Sequence, residues 1–181
     1  DLPDEGTRHF AACIRAIRAR VPAAQIEVLT PDFHARPELI RRVVEAGPEV
    51  FNHNLETVER LQREVRPQAG YGRSLQVLRL AREAGGPALK TKSGLMVGLG
   101  ERPEEVRRAM ADLREAGCQI LTIGQYLRPT LDHREVAEFV PPERFAEYRR
   151  WGEEMGFGFV GSAPYVRSSY NAFEALQQKG E

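Results

Sequence analysis

Asn52, Asn54 and Glu56 stand at every second position of Val50-Phe51-Asn52-His53-Asn54-Leu55-Glu56-Thr57. On an extended chain alternate side chains share a face, so two amides and a carboxylate point together and His53 points the other way. Such a row either holds a polar ligand by hydrogen bonds or is a solvated loop with an asparagine turn, and the residues alone leave both open. His53 reads as a hydrogen-bonded structural histidine, because no second histidine stands at metal-ligand spacing. A second concentration lies in Thr91–Glu101, where the apolar run Leu95-Met96-Val97 is followed by Gly98, Gly100 and Glu101. Two glycines at the carboxyl end of a strand either let a ligand meet the backbone or serve the dihedrals of a tight turn.

The two cysteines, Cys13 and Cys118, are far apart and belong to no CxxC-like cluster. They make neither a disulfide framework nor a self-contained metal site. Cys13 shares a helical stripe with Phe10, Ile14 and Ile17, which predicts a buried thiol. Cys118 enters a strand at the end away from the functional one, so packing is its expected role. Basic and acidic residues balance at 26 each, which gives no charge basis for general nucleic-acid or membrane attraction. No apolar run is long enough for a membrane span, and the acidic start is not a signal peptide. A cytoplasmic chain is the simplest reading.

The elements that position these residues alternate. Thr7–Arg20, Pro37–Ala46, Val58–Val65, Ser74–Glu83, Pro103–Ala116 and Pro142–Met155 read as helices, with Ser74 as a cap or first-turn residue. Ile26–Thr30, Glu49–Asn54, the Leu95–Val97 stretch and Ile120–Ile123 read as strands. Four βα repeats predict an α/β fold with a parallel sheet and right-handed crossovers, part of a (β/α) barrel. After Arg128 the pattern changes to a loop, a helix, a short extended piece at Gly156–Val160 and a final helix at Asn171–Gln177. We therefore expect residues 1–127 to form the partial barrel and 128–181 a C-terminal extension packed on the same domain. Read locally, Ser168 or Ser169 is the cap of that last helix.

Five blocks together resemble one family, lipoyl synthase, of the radical S-adenosylmethionine enzymes. They are Val28-Leu29-Thr30-Pro31-Asp32-Phe33, Val50 through Thr57, Thr91 through Glu101, Leu121-Thr122-Ile123-Gly124-Gln125-Tyr126-Leu127, and Val166-Arg167-Ser168-Ser169-Tyr170. The resemblance implies a barrel of the radical S-adenosylmethionine type. It also implies insertion of two sulfur atoms into an octanoyl chain held on a lipoyl carrier domain or the glycine-cleavage carrier protein. The implied cofactors are S-adenosylmethionine and two 4Fe-4S clusters, one of them auxiliary and the source of sulfur. The electron donor would be a protein such as ferredoxin or flavodoxin.

The resemblance also implies roles for particular residues. Ser168 would be the oxygen ligand of the auxiliary cluster, and Arg167 would place the tail or offset cluster charge. Asn52, Asn54 and Glu56 would bond the ribose or amino group of the cosubstrate. Gly98, Gly100 and Glu101 would lie near its nucleoside, and Gln125 to Leu127 beside adenine. Lys92 and Ser93 would face the interior in roles left open. The chain departs from the family pattern in carrying neither cysteine triad, so we expect it to be a C-terminal portion. His133-Arg134-Glu135-Val136 and Asn171 also differ from the commoner residues. The Arg-Ser-Ser-Tyr tail argues against a biotin synthase relative. A cluster-less barrel that binds a carrier domain or a nucleotide is the rival from another class.

Overall fold

The computed structural model describes residues 2–169. Tyr170 of the tail motif and the expected helix at Asn171–Gln177 lie outside the described residues. In chain order the elements are α1 (Thr7–Arg20), β1 (Glu27–Leu29), α2 (Pro37–Val44), β2 (Val50–Asn52), α3 (Gln62–Val65), α4 (Tyr71–Gly85), β3 (Lys90–Val97), α5 (Pro103–Glu115), β4 (Ile120–Gln125), α6 (Pro142–Glu154) and β5 (Phe159–Ser162). The strands pair in the order β1-β2-β3-β4-β5, every pair parallel. A strand order that follows the chain without reversal is the winding of a (β/α) barrel rather than of a doubly wound sheet. The structure adds one strand to the expected four. The extended piece near Phe159 pairs with β4, with Ile120 opposite Phe159 and Ile123 opposite Ser162.

Side-chain alternation divides the sheet into two faces. On one, Phe51 and Val28 pack with Ile14, Val43 and Val77, while Leu95, Val97, Leu121 and Ile123 pack with residues of α5 and α6. On the other, Val50, Ile120 and Phe159 form a small apolar cluster of their own. Lys92 also lies on this face, which none of the described helices covers. It is fully buried, and its Nζ donates to both carboxylate oxygens of Glu27 at 2.8 and 2.9 Å. Glu27 Oε1 accepts a further bond from Asn52 Nδ2 at 2.8 Å. These contacts run diagonally across three strands and tie β1 to β3 over β2.

His53 turns to the helix side, opposite Asn52 and Asn54. Its Nδ1 donates to the Thr30 carbonyl at 3.0 Å, so Nε2 accepts from the Ser74 hydroxyl at 3.1 Å. Burial holds its pKa down against the pull of the Thr30 carbonyl. It is a structural histidine, as its spacing predicts. Of the two expected roles, Ser74 takes the second: α4 starts at Tyr71 with Gly70 as its N-cap, and buried Ser74 closes the first turn by donating its amide to the Gly70 carbonyl at 2.9 Å. Cys13 is exposed, against expectation. The buried stripe of α1 runs through Thr7, Ala11 and Ile14, which leaves Cys13 off the contact face and Ile17 nearly half exposed. Cys118 is buried at the entry to β4, and burial pushes its thiol up to about 12.

The turn after β1 holds backbone strain. Phe33, His34 and Ala35 have φ of 45°, 49° and 52°, the left-handed region that side chains resist. Three features hold it there. Phe33 is fully buried against Phe10, Asp32 accepts the His34 amide at 2.9 Å, and Arg73 clamps Asp32 at 2.7 Å. Burial works against the Asp32 carboxylate, but that amide and the guanidinium hold its pKa below the ordinary value.

Candidate functional site

At the carboxyl ends of β2, β3 and β4 the face that carries Lys92 opens into a cavity of about 410 Å³. Asn54 and Glu56 form one wall, with Asn54 Nδ2 donating to Glu56 Oε1 at 3.1 Å. Among the described residues Asn54 Oδ1 is buried without a partner. An orphaned buried acceptor costs about 1–3 kcal/mol, so this atom is ready for a donor on a ligand. Glu56 has φ 70°, held by main-chain bonds from its amide to the Gly94 carbonyl (2.9 Å) and from the Met96 amide to its own carbonyl (2.7 Å). Burial raises the pKa of its carboxyl, while the Asn54 amide and Arg66 pull it back.

The floor and opposite wall come from β3 and β4. Gly94, Met96, Thr122 and Gly124 line the cavity. Their spacing continues the alternation that points Lys92 to the same face. A Cβ on Gly94 would lie 2.9 Å from Asn54 Oδ1 and 3.1 Å from Thr122 Oγ1, so this glycine keeps the polar row open. Leu127 and Pro129 add an apolar rim, and Arg128, Arg167 and Ser168 complete it. Thus Asn54, Glu56, Gln125, Leu127 and Ser168, all expected at the site, lie around one space. Gly94, Met96, Thr122 and Gly124 are additions. Counting by twos from Lys92 and from Thr122 would have found them.

Four expected residues are not brought to this cavity. Asn52 lies one step deeper on the same face, occupied by Glu27, with its Oδ1 unpartnered. Glu101 turns back on its own loop, accepting the Gly98 amide at 2.6 Å and the Leu99 amide at 2.9 Å. Burial raises its pKa, against those two amides. Gly98, at φ 98°, gives room to a crossing chain: its carbonyl accepts the Ala137 and Glu138 amides, and a Cβ there would collide with Glu138 O and Gln125 Nε2. Gly100 also has a left-handed φ, 95°, and faces Ala137 and Arg134. Gln125 contributes to the cavity wall, yet its amide is spent on the segment after β4. Nε2 donates to the Tyr126 and Glu138 carbonyls, and Oε1 accepts from the Val140 amide at 2.9 Å.

The donor set tests which groups this space fits. A buried orphan acceptor, a carboxylate, a glycine-opened floor and an apolar rim fit a molecule with hydroxyl or ammonium donors and a flat ring. Among the described residues no group of three His, Cys, Asp or Glu side chains would hold a metal ion. Exposed Cys13 and deeply buried Cys118 are not at the cavity, and Ser168 lies on its rim with a hydroxyl oxygen, across from the Glu56 carboxylate wall.

Comparison with known proteins agrees in class. The Radical SAM superfamily profile matches residues 1–113, and the chain belongs to that superfamily. The superfamily implies S-adenosylmethionine and a 4Fe-4S cluster as cofactors. More narrowly, the chain is 58% identical over 177 residues to lipoyl synthase of Rubrobacter xylanophilus, covering 98% of this chain and 55% of that protein. It is 54% identical over 173 residues to lipoyl synthase of Methylococcus capsulatus, covering 95% and 53%. Lipoyl synthase of Thermus thermophilus matches at the same identity and coverage. The chain therefore spans about half the length of the curated relatives it matches. Among solved structures, methylornithine synthase superposes with a TM-score of 0.59 at 12% identity, covering 91% of this chain and 56% of that one. A deoxyribose-phosphate aldolase of Toxoplasma gondii superposes at 0.53 and 14% identity, covering 92% and 67%. These two likenesses speak to the fold, a (β/α) barrel segment.

Proposed function

We propose that this chain is part of a lipoyl synthase, and that the cavity at the ends of β2–β4 is its cosubstrate and auxiliary-cluster site. The observation that carries the reading is that Asn54 and Glu56, on the segment after β2, and Ser168, on the segment after β5, line one space. S-adenosylmethionine, bound with a 4Fe-4S cluster, supplies the radical chemistry, and the auxiliary cluster supplies sulfur to an octanoyl chain on a carrier protein. The residues of this chain bind and orient. Asn54 Oδ1 accepts a donor from the ribose or amino group, and the Glu56 oxygen not bonded to Asn54 accepts a second. Leu127 and Met96 offer an apolar wall to the adenine ring. Ser168 would hold an iron of the auxiliary cluster through its hydroxyl oxygen, while Cys13 and Cys118, the two cysteines of this sequence, lie away from the cavity. A ferredoxin or flavodoxin fits as the electron donor.

The test is anaerobic iron and sulfide analysis of the full-length protein beside Ser168→Ala. Two clusters give about eight irons per chain, and the variant should lose iron from one of them selectively. Full iron in both proteins would remove Ser168 as a ligand. No iron at all, in a full-length frame without further cysteines, would leave a barrel that only binds a carrier domain or nucleotide.

A further inference from the structure

Beyond Ser168, we propose that Gly124 and Arg167 are positioning residues that seat the Ala163–Ser168 segment across the end of β4 and so hold the Ser168 hydroxyl at the cavity rim. The segment leaves β5 and continues its ladder for one more step. The Ala163 amide donates to the Ile123 carbonyl at 3.2 Å, and the Gln125 amide donates to the Pro164 carbonyl at 3.2 Å. The grips on either side of Gly124 force the chain to pass directly over it. A Cβ at Gly124 would lie far inside van der Waals contact distance of Val166 O, a backbone atom that cannot rotate away, and 3.3 Å from the Arg167 guanidinium. Glycine is thus required at 124 by an approaching backbone rather than by its own dihedrals.

Two further contacts turn the chain there. The Val166 amide donates to the Ala163 carbonyl at 3.1 Å, closing a tight turn. Arg167 Nη1 folds back to the Val166 carbonyl at 2.7 Å, the same oxygen that sits over Gly124. Val166 is 2% exposed and anchors the turn, while Tyr165 before it stands in solvent. Ser168 follows immediately, so its distance from the cavity wall is set by how far the Val166 carbonyl can descend onto β4. Any side chain at 124 lifts that carbonyl and carries Ser168 with it.

This inference rests on the reading of Ser168 as a cluster ligand, and the experiment separates the two. Hydrogen exchange of residues 163–168 and the spectrum of the auxiliary cluster are measured in the full-length, cluster-loaded protein for Gly124→Ala, Arg167→Gln and Ser168→Ala. The expected result is exchange about tenfold faster or more across that segment in the first two variants, with the rest of the sheet unchanged. The auxiliary-cluster signal should change with it while the other cluster's signal stays as it was. A merely structural glycine would not move one cluster's signal alone. Unchanged exchange in Gly124→Ala overturns the proposal. If that variant does not fold, Arg167→Gln decides in the same way. If Ser168→Ala leaves both cluster signals intact, the ligand reading fails, and the exchange data still decide whether Gly124 and Arg167 seat the segment.

Discussion

Replacing Lys92 with Met should destabilise this chain by about 2–4 kcal/mol. Lys92 is 1% exposed at its side chain and Glu27 18%, and the two share two bonds under 3 Å. Removing one partner of a buried ion pair typically costs about 3–5 kcal/mol, because the other charge stays behind unpaired. Glu27 retains the Asn52 amide and some solvent, which brings the figure down. With a urea slope of about 2 kcal/mol/M, the unfolding midpoint should fall by roughly 1–2 M. Glu27→Gln added to Lys92→Met should recover much of the loss, since a neutral amide leaves no stranded charge. Urea unfolding of the four proteins of the double-mutant cycle, followed by circular dichroism, supplies the numbers. A loss below about 1 kcal/mol in the single variant, or no recovery in the double, would refute the claim that this buried pair ties β1 to β3.

Three further outcomes follow from other contacts. Ser74→Ala leaves His53 Nε2 buried without its donor and should cost about 1–2 kcal/mol, read by the same unfolding assay; a cost near zero would mean that another donor reaches the ring. Glu56 has a folded-state pKa raised by burial, so the folded state binds more protons than the unfolded one above the ordinary carboxylate pKa, and stability drains away as pH rises through the folded value. The gain from Glu56→Gln should therefore be larger at pH 7 than at pH 4.5, and parallel pH profiles would contradict it. Gly94→Ala crowds Asn54 Oδ1 and Thr122 Oγ1, and should weaken S-adenosylmethionine binding by the full-length protein about tenfold in equilibrium dialysis, about 1.4 kcal/mol, while the melting temperature changes little.

Period-two alternation made the polar row readable, with Asn54 and Glu56 on one face and His53 on the other, because alternation needs no tertiary information. The same rule applied to β3 and β4 leads to Gly94 and Gly124. Attention to Gly98 and Gly100 instead reflects a real signal, positive φ, whose cause is a crossing chain and a self-capping carboxylate. Whether a glycine serves its own dihedrals or a neighbour's approach depends on what lies across from it, and that is a tertiary fact. The extended piece at Gly156–Val160 could not be placed in the sheet for a related reason. Gly158-Phe159-Val160 is too short and glycine-rich to announce a strand, and pairing with β4 makes it one. Cys13 shows the limit of helical periodicity, since two overlapping stripes fit α1 and packing against α2 selects the one through Ala11 and Ile14. The left-handed run at Phe33–Ala35 follows no residue preference and depends on Arg73, forty residues away in the chain, holding Asp32.

The full-length protein, loaded with iron and sulfide and given S-adenosylmethionine, a reductant and an octanoylated carrier domain, is assayed by mass spectrometry of the carrier. The reading predicts a carrier that gains two sulfur atoms at the octanoyl group, with the gain abolished or arrested in Ser168→Ala. A carrier left unchanged by fully loaded protein that still cleaves S-adenosylmethionine would contradict it and leave the barrel with a different substrate.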